Sequence, residues 1–249
     1  MRYNARRHRL PVCEGYGILL VDKPATWTSF DVVNFVRSHF NVPKVGHCGT
    51  LDPAATGLLV LTLGKFTAYS SRFSGADKLY DATLKLGITT DSGDMDGQTT
   101  ATHDASHLTP EQVKSAIESF VGAQKQLPPM VSAVKVGGRK LYELARQGLE
   151  VERQPRDITI YRIDIGRMAL PECDFTVECS KGTYIRTLCA DIGSKLGVGG
   201  VLTRLRRLRS GAFELDRALS IEQLKAMDQA ALVQHLTQNL NSFAGMSES

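Results

Sequence analysis

The chain has 249 residues, 42% of them hydrophobic and 22% charged, with a net charge of +4 at pH 7. These values are typical of a folded domain with a sizeable core and argue against disorder. No apolar run approaches the ~20 residues that span a bilayer, and the basic start lacks the apolar stretch of a signal peptide. We therefore expect a cytoplasmic protein that does not bind membranes.

Metal and cofactor motifs are missing from the sequence. Five cysteines, an odd number with no C-x-x-C pair, argue against a disulfide framework or a zinc site. His103 and His107 are four residues apart in a polar stretch, and the acidic loop DSGDMDGQ lacks the spacing of a calcium loop. No phosphate loop, dinucleotide fingerprint or serine-nucleophile motif occurs, so we predict no metal and no cofactor.

Positive charge is concentrated at two places. The N-terminal arm, residues 1–12, carries four arginines, and the segment 204–209 carries another four, whereas residues 77–104 are rich in acids. Local basic clusters on a nearly neutral chain favour a polyanion bound at a defined place. Solvated arginines on a surface strand or helix remain the alternative.

The first third of the chain alternates strands and one helix. We predict a buried strand in GYGILLVDKP, a helix from Ser29 with Ser29 as its N-cap, and a strand over Leu58–Leu63. The alternation in KLYDATLKLGITT, residues 78–90, predicts a further strand.

Later segments continue this mixture. Thr109-Pro110 starts a helix whose predicted buried face is Val113, Ile117, Phe120 and Val121. A strand, a Gly-Gly turn and a short helix follow in residues 131–148, and then a hairpin joins ITIYRIDIGRM to DFTVECS. A helix over YIRTLCADIGSKLG, a basic strand and a last helix near residues 230–240 complete the chain. Strands and helices do not alternate regularly, so we predict one α+β domain.

One acid stands out in GHCGTLDPAATG, residues 46–57. Asp52 precedes a proline, which biases it toward extended geometry, and the surrounding glycines permit close approach of a backbone or a ligand. By itself, an Asp-Pro pair in a loop is more typical of a turn.

A second motif, KGTYIR, joins a strand end to a helix start. Arg186 would lie in the first helical turn, where its charge opposes the helix dipole. This placement favours a specific acidic partner, while a phosphate contact or an ordinary surface arginine remain alternatives.

Together these motifs resemble the tRNA pseudouridine synthase B family. The matching stretches occur in family order between about Gly15 and Arg209; they are GILLVDKPATWTSFDVV, VGHCGTLDPAATGLLVLTLGKFT, KLYDATLKLGITTDSGDMDG, PPMVSAVKVGGRKLYELARQG and CSKGTYIRTLCADIG. The resemblance implies an α+β pseudouridine synthase fold, with a mixed, largely antiparallel sheet flanked by helices and a catalytic cleft across it.

The resemblance also assigns roles to three reactive residues. Asp52 matches the aspartate required for breaking and remaking the glycosidic bond; whether it adds to the base, adds to the sugar or removes a sugar proton is left open. Arg186 matches an arginine that pairs with that aspartate and keeps it ionised. Tyr80 matches a tyrosine that stacks on the target base and assists proton removal at C5.

Four further residues match substrate-binding positions. Tyr184 and Leu205 correspond to residues that line the base pocket. His47 corresponds to a histidine that props the displaced nucleotide, and Lys23 falls in a strand-end Lys-Pro element with a structural role.

The implied reaction is isomerisation of uridine 55 in the T-loop of tRNA, with the base flipped out of its stack. The resemblance implies no cofactor, no obligate protein partner and a monomer. A synthase for ribosomal or guide-directed RNA and a non-catalytic tRNA-folding chaperone remain alternatives, although the intact Asp52, Tyr80 and Arg186 favour an enzyme.

The sequence departs from the family pattern at three places. Cys48 replaces a small residue, and Val131 replaces a usual tyrosine. The third departure is at the C-terminus: we expect a single catalytic domain over 1–249, with its core at about 15–220, and no separate C-terminal RNA-binding domain of the PUA kind. The arginines of 204–209 are expected to compensate for that domain.

Overall fold

The computed structural model describes residues 11–130 and 151–244, together with 132, 135, 136, 138–141, 147 and 149. Ten residues of the basic arm, Val131 and most of the short helix expected after the Gly-Gly turn lie outside the described residues. Across the described ranges, no helix is long and apolar enough to cross a membrane.

The secondary structure follows in chain order. The strands are β1 (Gly17–Lys23), β2 (Val45–His47), β3 (Thr56–Leu63), β4 (Lys78–Leu86), β5 (Ile88–Thr90), β6 (Thr99–Thr102), β7 (Gly122–Gln126), β8 (Lys135–Val136), β9 (Arg139–Lys140), β10 (Arg156–Ala169), β11 (Glu172–Cys179), β12 (Gly200–Ser210), β13 (Phe213–Glu214) and β14 (Leu219–Ser220). The helices are α1 (Ser29–His39), α2 (Ser70–Ser74), α3 (Pro110–Glu118), α4 (Ile185–Lys195), α5 (Ile221–Ala226) and α6 (Gln229–Ala244).

The chain divides into two compact units. The first unit contains the described residues up to Gly75 and those from Ala212 onward, and the second unit is Ala76–Gly211. The predicted single catalytic domain stays a prediction.

The first unit is built on β1. This strand pairs antiparallel with β3 along its whole length and parallel with β14, while β2 pairs antiparallel with β3. Because successive side chains point to opposite faces, β1 contributes Leu19 and Val21 to one buried cluster and Ile18 and Leu20 to another. Helices α1, α5 and α6 supply apolar residues to the first of these clusters.

The predicted N-cap of α1 is wrong by one residue. Thr28 is the cap: its hydroxyl accepts from the Asp31 amide at 3.0 Å, and Asp31 accepts from the Thr28 amide at 2.8 Å. Ser29 is the first helical residue. Since Thr28 satisfies the helix end, the Ser29 hydroxyl is available for a tertiary contact.

The second unit contains an antiparallel sheet in the order β12-β4-β11-β10-β7. Helix α4 packs on β12 and β4. The predicted hairpin is confirmed as β10 and β11, and the mixture of helices with a largely antiparallel sheet confirms the predicted α+β class. The strand predicted over residues 78–90 divides at Gly87, whose φ of +89° interrupts the extended backbone, and β5 then pairs with β6 instead.

Helix α3 begins as predicted but ends earlier. Thr109 and Gln112 form a reciprocal capping box, with Pro110 in the first turn. The helix ends at Glu118, so Val121 lies beyond it and is 46% exposed. The prediction that Val121 belongs to the buried helix face is therefore wrong.

Thr109→Ala removes the side-chain acceptor for the Gln112 amide. We expect the free energy of unfolding to fall by about 1 kcal/mol, measured by urea denaturation. Ser115→Ala, at an exposed position of the same helix, is the control and should change it by less than about 0.5 kcal/mol. Equal effects of the two substitutions would contradict a stabilising cap.

Candidate active site

Asp52 lies in the loop between β2 and β3 of the first unit. The loop leaves β2 through Cys48, whose amide donates to the Val60 carbonyl at 2.8 Å. A turn follows in which the Ala55 amide donates to the Asp52 carbonyl at 3.1 Å. Asp52 itself is half-buried. Asp52 therefore lies in a turn, as its Asp-Pro sequence predicts. The loop that contains this turn is bonded to the sheet through Cys48.

The backbone after Asp52 is held by Lys23. This lysine ends β1 and is fully buried. Its ammonium donates to the carbonyls of Pro24 at 3.0 Å, Trp27 at 2.6 Å and Pro53 at 3.1 Å. An ammonium has three protons and is unfavourable to bury unless they are bonded, so these three carbonyls satisfy it. The geometry supports the structural role that the resemblance implies for Lys23.

The backbone before Asp52 is held by Ser29. Its hydroxyl donates to the Leu51 carbonyl at 3.1 Å and accepts from the Leu51 amide at 2.9 Å. Both neighbours of Asp52 are thus tied to other elements of the first unit. Sequence reasoning missed Ser29 because a serine before a helix is equally typical of an N-cap.

His47 precedes the same loop. It is the last residue of β2, opposite Leu61 of β3, and is half-buried. The structure therefore places three of the predicted site residues, Lys23, His47 and Asp52, around one loop of the first unit.

In the second unit, Tyr80 and Leu205 lie on neighbouring strands. Tyr80 on β4 is buried, opposite Val177 of β11 and Arg207 of β12. Leu205 is opposite Ala82, two residues further along the same face. The two predicted base-contacting side chains therefore belong to one face of the sheet.

Arg186 has the acidic partner that its position predicted. It is the second residue of α4 and is buried, and its Nη1 atom lies 3.2 Å from Asp94 Oδ2 and 3.3 Å from the Ser92 carbonyl. Asp94 Oδ1 in turn accepts from the Ser92 hydroxyl at 2.6 Å. Ser92 and Asp94 belong to the acidic loop DSGDMDGQ, which lacks the spacing of a calcium loop. The sequence analysis did not identify Asp94 as a site residue. Pairing of Arg186 with Asp52 stays a prediction.

Tyr184 is fixed through its backbone. It is the N-cap of α4, and the buried side chain of Gln126 accepts from its amide at 2.8 Å and donates to its carbonyl at 3.0 Å. The Tyr184 side chain is half-buried. Gln126 was also missed, because nothing in the sequence links a glutamine on β7 to a helix 58 residues later.

The arginines of residues 204–209 do not form one exposed cluster. Arg207 is 1% exposed. Arg204 binds both oxygens of Asp81, at 2.6 and 3.0 Å, and Arg209 is 2.5 Å from Glu178. A hydrogen bond from Thr83 holds the pKa of nearby Asp174 below its usual range, together with a hydrogen bond from Arg167 and the positive charges of Arg167 and Arg204. Much of the predicted basic charge is therefore paired within the sheet.

The cysteines do not supply a nucleophile. All five are buried and make no disulfide. Burial raises the pKa of Cys173 to about 11 and that of Cys179 to about 12, so both are thiols at neutral pH. Within the described ranges, no group of three or more histidine, cysteine or acidic side chains is arranged to hold a metal.

Comparison with known proteins gives consistent matches. The family model described as "TruB family pseudouridylate synthase (N terminal domain)" matches residues 37–185. A second, "tRNA pseudouridylate synthase B C-terminal domain", matches residues 186–248. The chain is 46% identical over 234 residues to tRNA pseudouridine synthase B of Syntrophotalea carbinolica, covering 93% of this chain and 76% of that protein. The same enzyme of Alkaliphilus oremlandii is 49% identical over 212 residues, covering 85% and 71%.

Solved structures agree with these matches. A chain of the Cbf5-Nop10-Gar1 complex superposes with a TM-score of 0.68 at 28% identity, covering 90% of this chain. The chain spans 61% of that protein's length, which is less than two thirds. The family models, the sequence identities and the shared fold agree, and the chain belongs to the TruB family of pseudouridylate synthases, which are isomerases.

Proposed function

We propose that the protein converts uridine 55 in the T-loop of tRNA to pseudouridine, with Asp52 as the nucleophile. The observation that carries the proposal is the Asp52 loop. Lys23 and Ser29 bind the backbone on either side of a half-buried carboxylate. Fixing the reactive group before the substrate arrives is what a site for a difficult bond exchange needs. The substrate follows from relatives named tRNA pseudouridine synthase B.

The reaction exchanges one bond for another within the nucleotide. The N1–C1′ bond breaks, the uracil turns, C5 bonds to C1′, and the C5 proton leaves while N1 gains one. Atoms balance without a co-reactant, so no oxidant, reductant or phosphate donor is needed. The target must first leave its stack, which costs a few kcal/mol and is offset by contacts in the pocket.

The other residues support this chemistry. We assign Arg186 to the catalytic carboxylate, Tyr80 to stacking on the base and removal of the C5 proton, and Tyr184 with Leu205 to the pocket walls. His47 props the nucleotide flipped from the stack. Buried Tyr80 and half-buried Leu205 on one sheet face, and the ion pair of buried Arg186 with Asp94, support these assignments. We further propose that the enzyme acts in the cytoplasm as a monomer, with cysteines that form no disulfide, as suits a reducing compartment.

Asp52→Asn should abolish the reaction while leaving the fold intact, because the amide keeps the size of the side chain but not its nucleophilic charge. We would measure tritium release from an unmodified tRNA transcript labelled at C5 of uridine. The wild type is expected to release about one equivalent, mapped to the T-loop, and the variant none. Tight tRNA binding with no release from either protein would contradict the proposal and leave a folding chaperone.

Lys23→Met should lower kcat more than it weakens tRNA binding, because the Pro53 carbonyl next to Asp52 loses its bond to the ammonium and keeps only the bond from the Thr26 amide. Loss of the three hydrogen bonds that the ammonium donates should also lower the free energy of unfolding by about 3 kcal/mol. Single-turnover kinetics and urea denaturation measure the two effects. Lys125→Met, at an exposed lysine, is the control; a lower stability with unchanged kcat would contradict a positioning role.

Asp94→Asn removes the charge opposite buried Arg186. We expect kcat to fall by about tenfold or more, because a buried cation that loses one of its carboxylate partners changes its position. Single-turnover rates at saturating tRNA measure this. Asp96→Asn, at an exposed acid of the same loop, should leave the rate unchanged. Equal rates in the wild type and Asp94→Asn would show that this ion pair does not position Arg186.

A further inference from the structure

Three aromatic rings and a lysine lie in contact with one another on the surface of the first unit. Tyr16 stacks on Phe66, with ring centroids 6.0 Å apart and planes inclined by 18°, and Phe66 contacts Tyr69 at 5.6 Å with planes inclined by 54°. The Lys65 ammonium lies 3.5 Å from the centre of the Tyr16 ring. We call Tyr16, Lys65, Phe66 and Tyr69 the aromatic–lysine stack.

The two outer rings of the stack are exposed, whereas Phe66 between them is half-buried and packs against the buried cluster that contains Ile18 and Leu20. Tyr16 is 41% and Tyr69 51% exposed to solvent. Single exposed aromatics need no explanation, but rings that contact one another and still face water indicate a surface that another molecule covers. Neither outer ring belongs to the two buried clusters of the first unit.

The segment that presents the stack is rigidly held. A 3-10 turn, Gly64–Tyr69, follows β3, and Gly64 has a φ of +58°; a Cβ there would come within 2.8 Å of Tyr16 Cβ. The Thr67 hydroxyl donates to the Gly64 carbonyl at 2.9 Å, and the Ser70 hydroxyl donates to the Thr67 carbonyl at 2.8 Å. A preorganised surface loses little conformational entropy when it binds a partner.

The charge around the stack is positive. Lys44, Lys65 and Arg72 are all exposed, and none forms an ion pair with a carboxylate among the described residues. One acidic residue, Glu14, lies two positions before Tyr16 in the sequence. This contrasts with the arginines of β12, where Arg204 and Arg209 are paired with acids. Unpaired cations next to exposed rings complement a polyanion that carries flat bases.

We propose that the aromatic–lysine stack, which contains none of the residues assigned to the reaction, binds unpaired nucleotides of the RNA substrate, with a base on Tyr69 and a phosphate at Lys65. Base–aromatic stacking tolerates any sequence because every base has a π face. Lys65 exchanges part of its contact with Tyr16 for a phosphate, which is a stronger partner. The proposal rests on the proposed function for the identity of the RNA, but its binding test does not depend on catalysis.

Fluorescence anisotropy with a labelled, unmodified tRNA transcript tests the stack in the full chain. Tyr69→Ala should raise the Kd by about tenfold, whereas Tyr69→Phe, which keeps the π face, should leave it within about twofold. Lys65→Gln should reduce the slope of log Kd against log salt by about 0.7 to 0.9, the value for one phosphate contact. At saturating tRNA, kcat should be unchanged in all three variants.

Matched controls come from the second unit. Tyr161→Ala removes a tyrosine that is 48% exposed, and Lys114→Gln removes an exposed lysine on α3; neither should alter the Kd. The proposal is overturned if Tyr69→Ala and Lys65→Gln bind tRNA as these controls do. It is equally overturned if the wild type forms a dimer that Tyr69→Ala abolishes while the Kd for tRNA is unchanged. Binding that responds as expected in a protein that releases no tritium would refute the proposed reaction but not the stack.

Discussion

The Lys23 ammonium is the interaction on which the candidate site depends most. A fully buried lysine is tolerated only when its protons are bonded, and here three carbonyls from two segments of the chain converge on it. One of them belongs to Pro53, so the requirement to satisfy a buried charge also fixes the backbone next to Asp52. A residue outside the reacting groups therefore determines where the carboxylate can lie.

In the second unit, too, buried polar groups are bonded by specific partners. Arg186 is buried at a helix start, where its charge is unfavourable, and Asp94 with the Ser92 carbonyl compensates for it. Gln126 satisfies both backbone groups of Tyr184 at the same helix end. In each case a buried polar group selects its partners, and those partners hold a proposed site residue in one position. This fits the proposed reaction, which the fixed positions of the reacting groups would accelerate.

Some basic side chains of this protein are paired with carboxylates of the same chain, and others are exposed to a ligand. Arg204 and Arg209 form ion pairs with carboxylates of the same sheet, and Arg207 is buried. The basic segment 204–209 therefore presents little positive charge to a ligand. The aromatic–lysine stack differs from that segment. Few basic residues lie near it in the sequence, but its lysine forms no ion pair among the described residues and lies over an exposed ring. A count of basic residues along the chain is therefore a poor guide to where a polyanion binds.

Most local elements and the family could be predicted from the order of the residues. Helix α3 and its Thr109 cap, the β10–β11 hairpin and the Asp52 and Arg186 motifs were all readable, because they depend on neighbouring residues or on a long, specific match. The contacts that hold the site were not readable. Ser29 meets Leu51 across 22 residues, Gln126 meets Tyr184 across 58, and Arg186 meets Ser92 across 94. Such partners are chosen by the need to satisfy buried polar groups in the folded chain, and only the tertiary structure decides which groups are buried together.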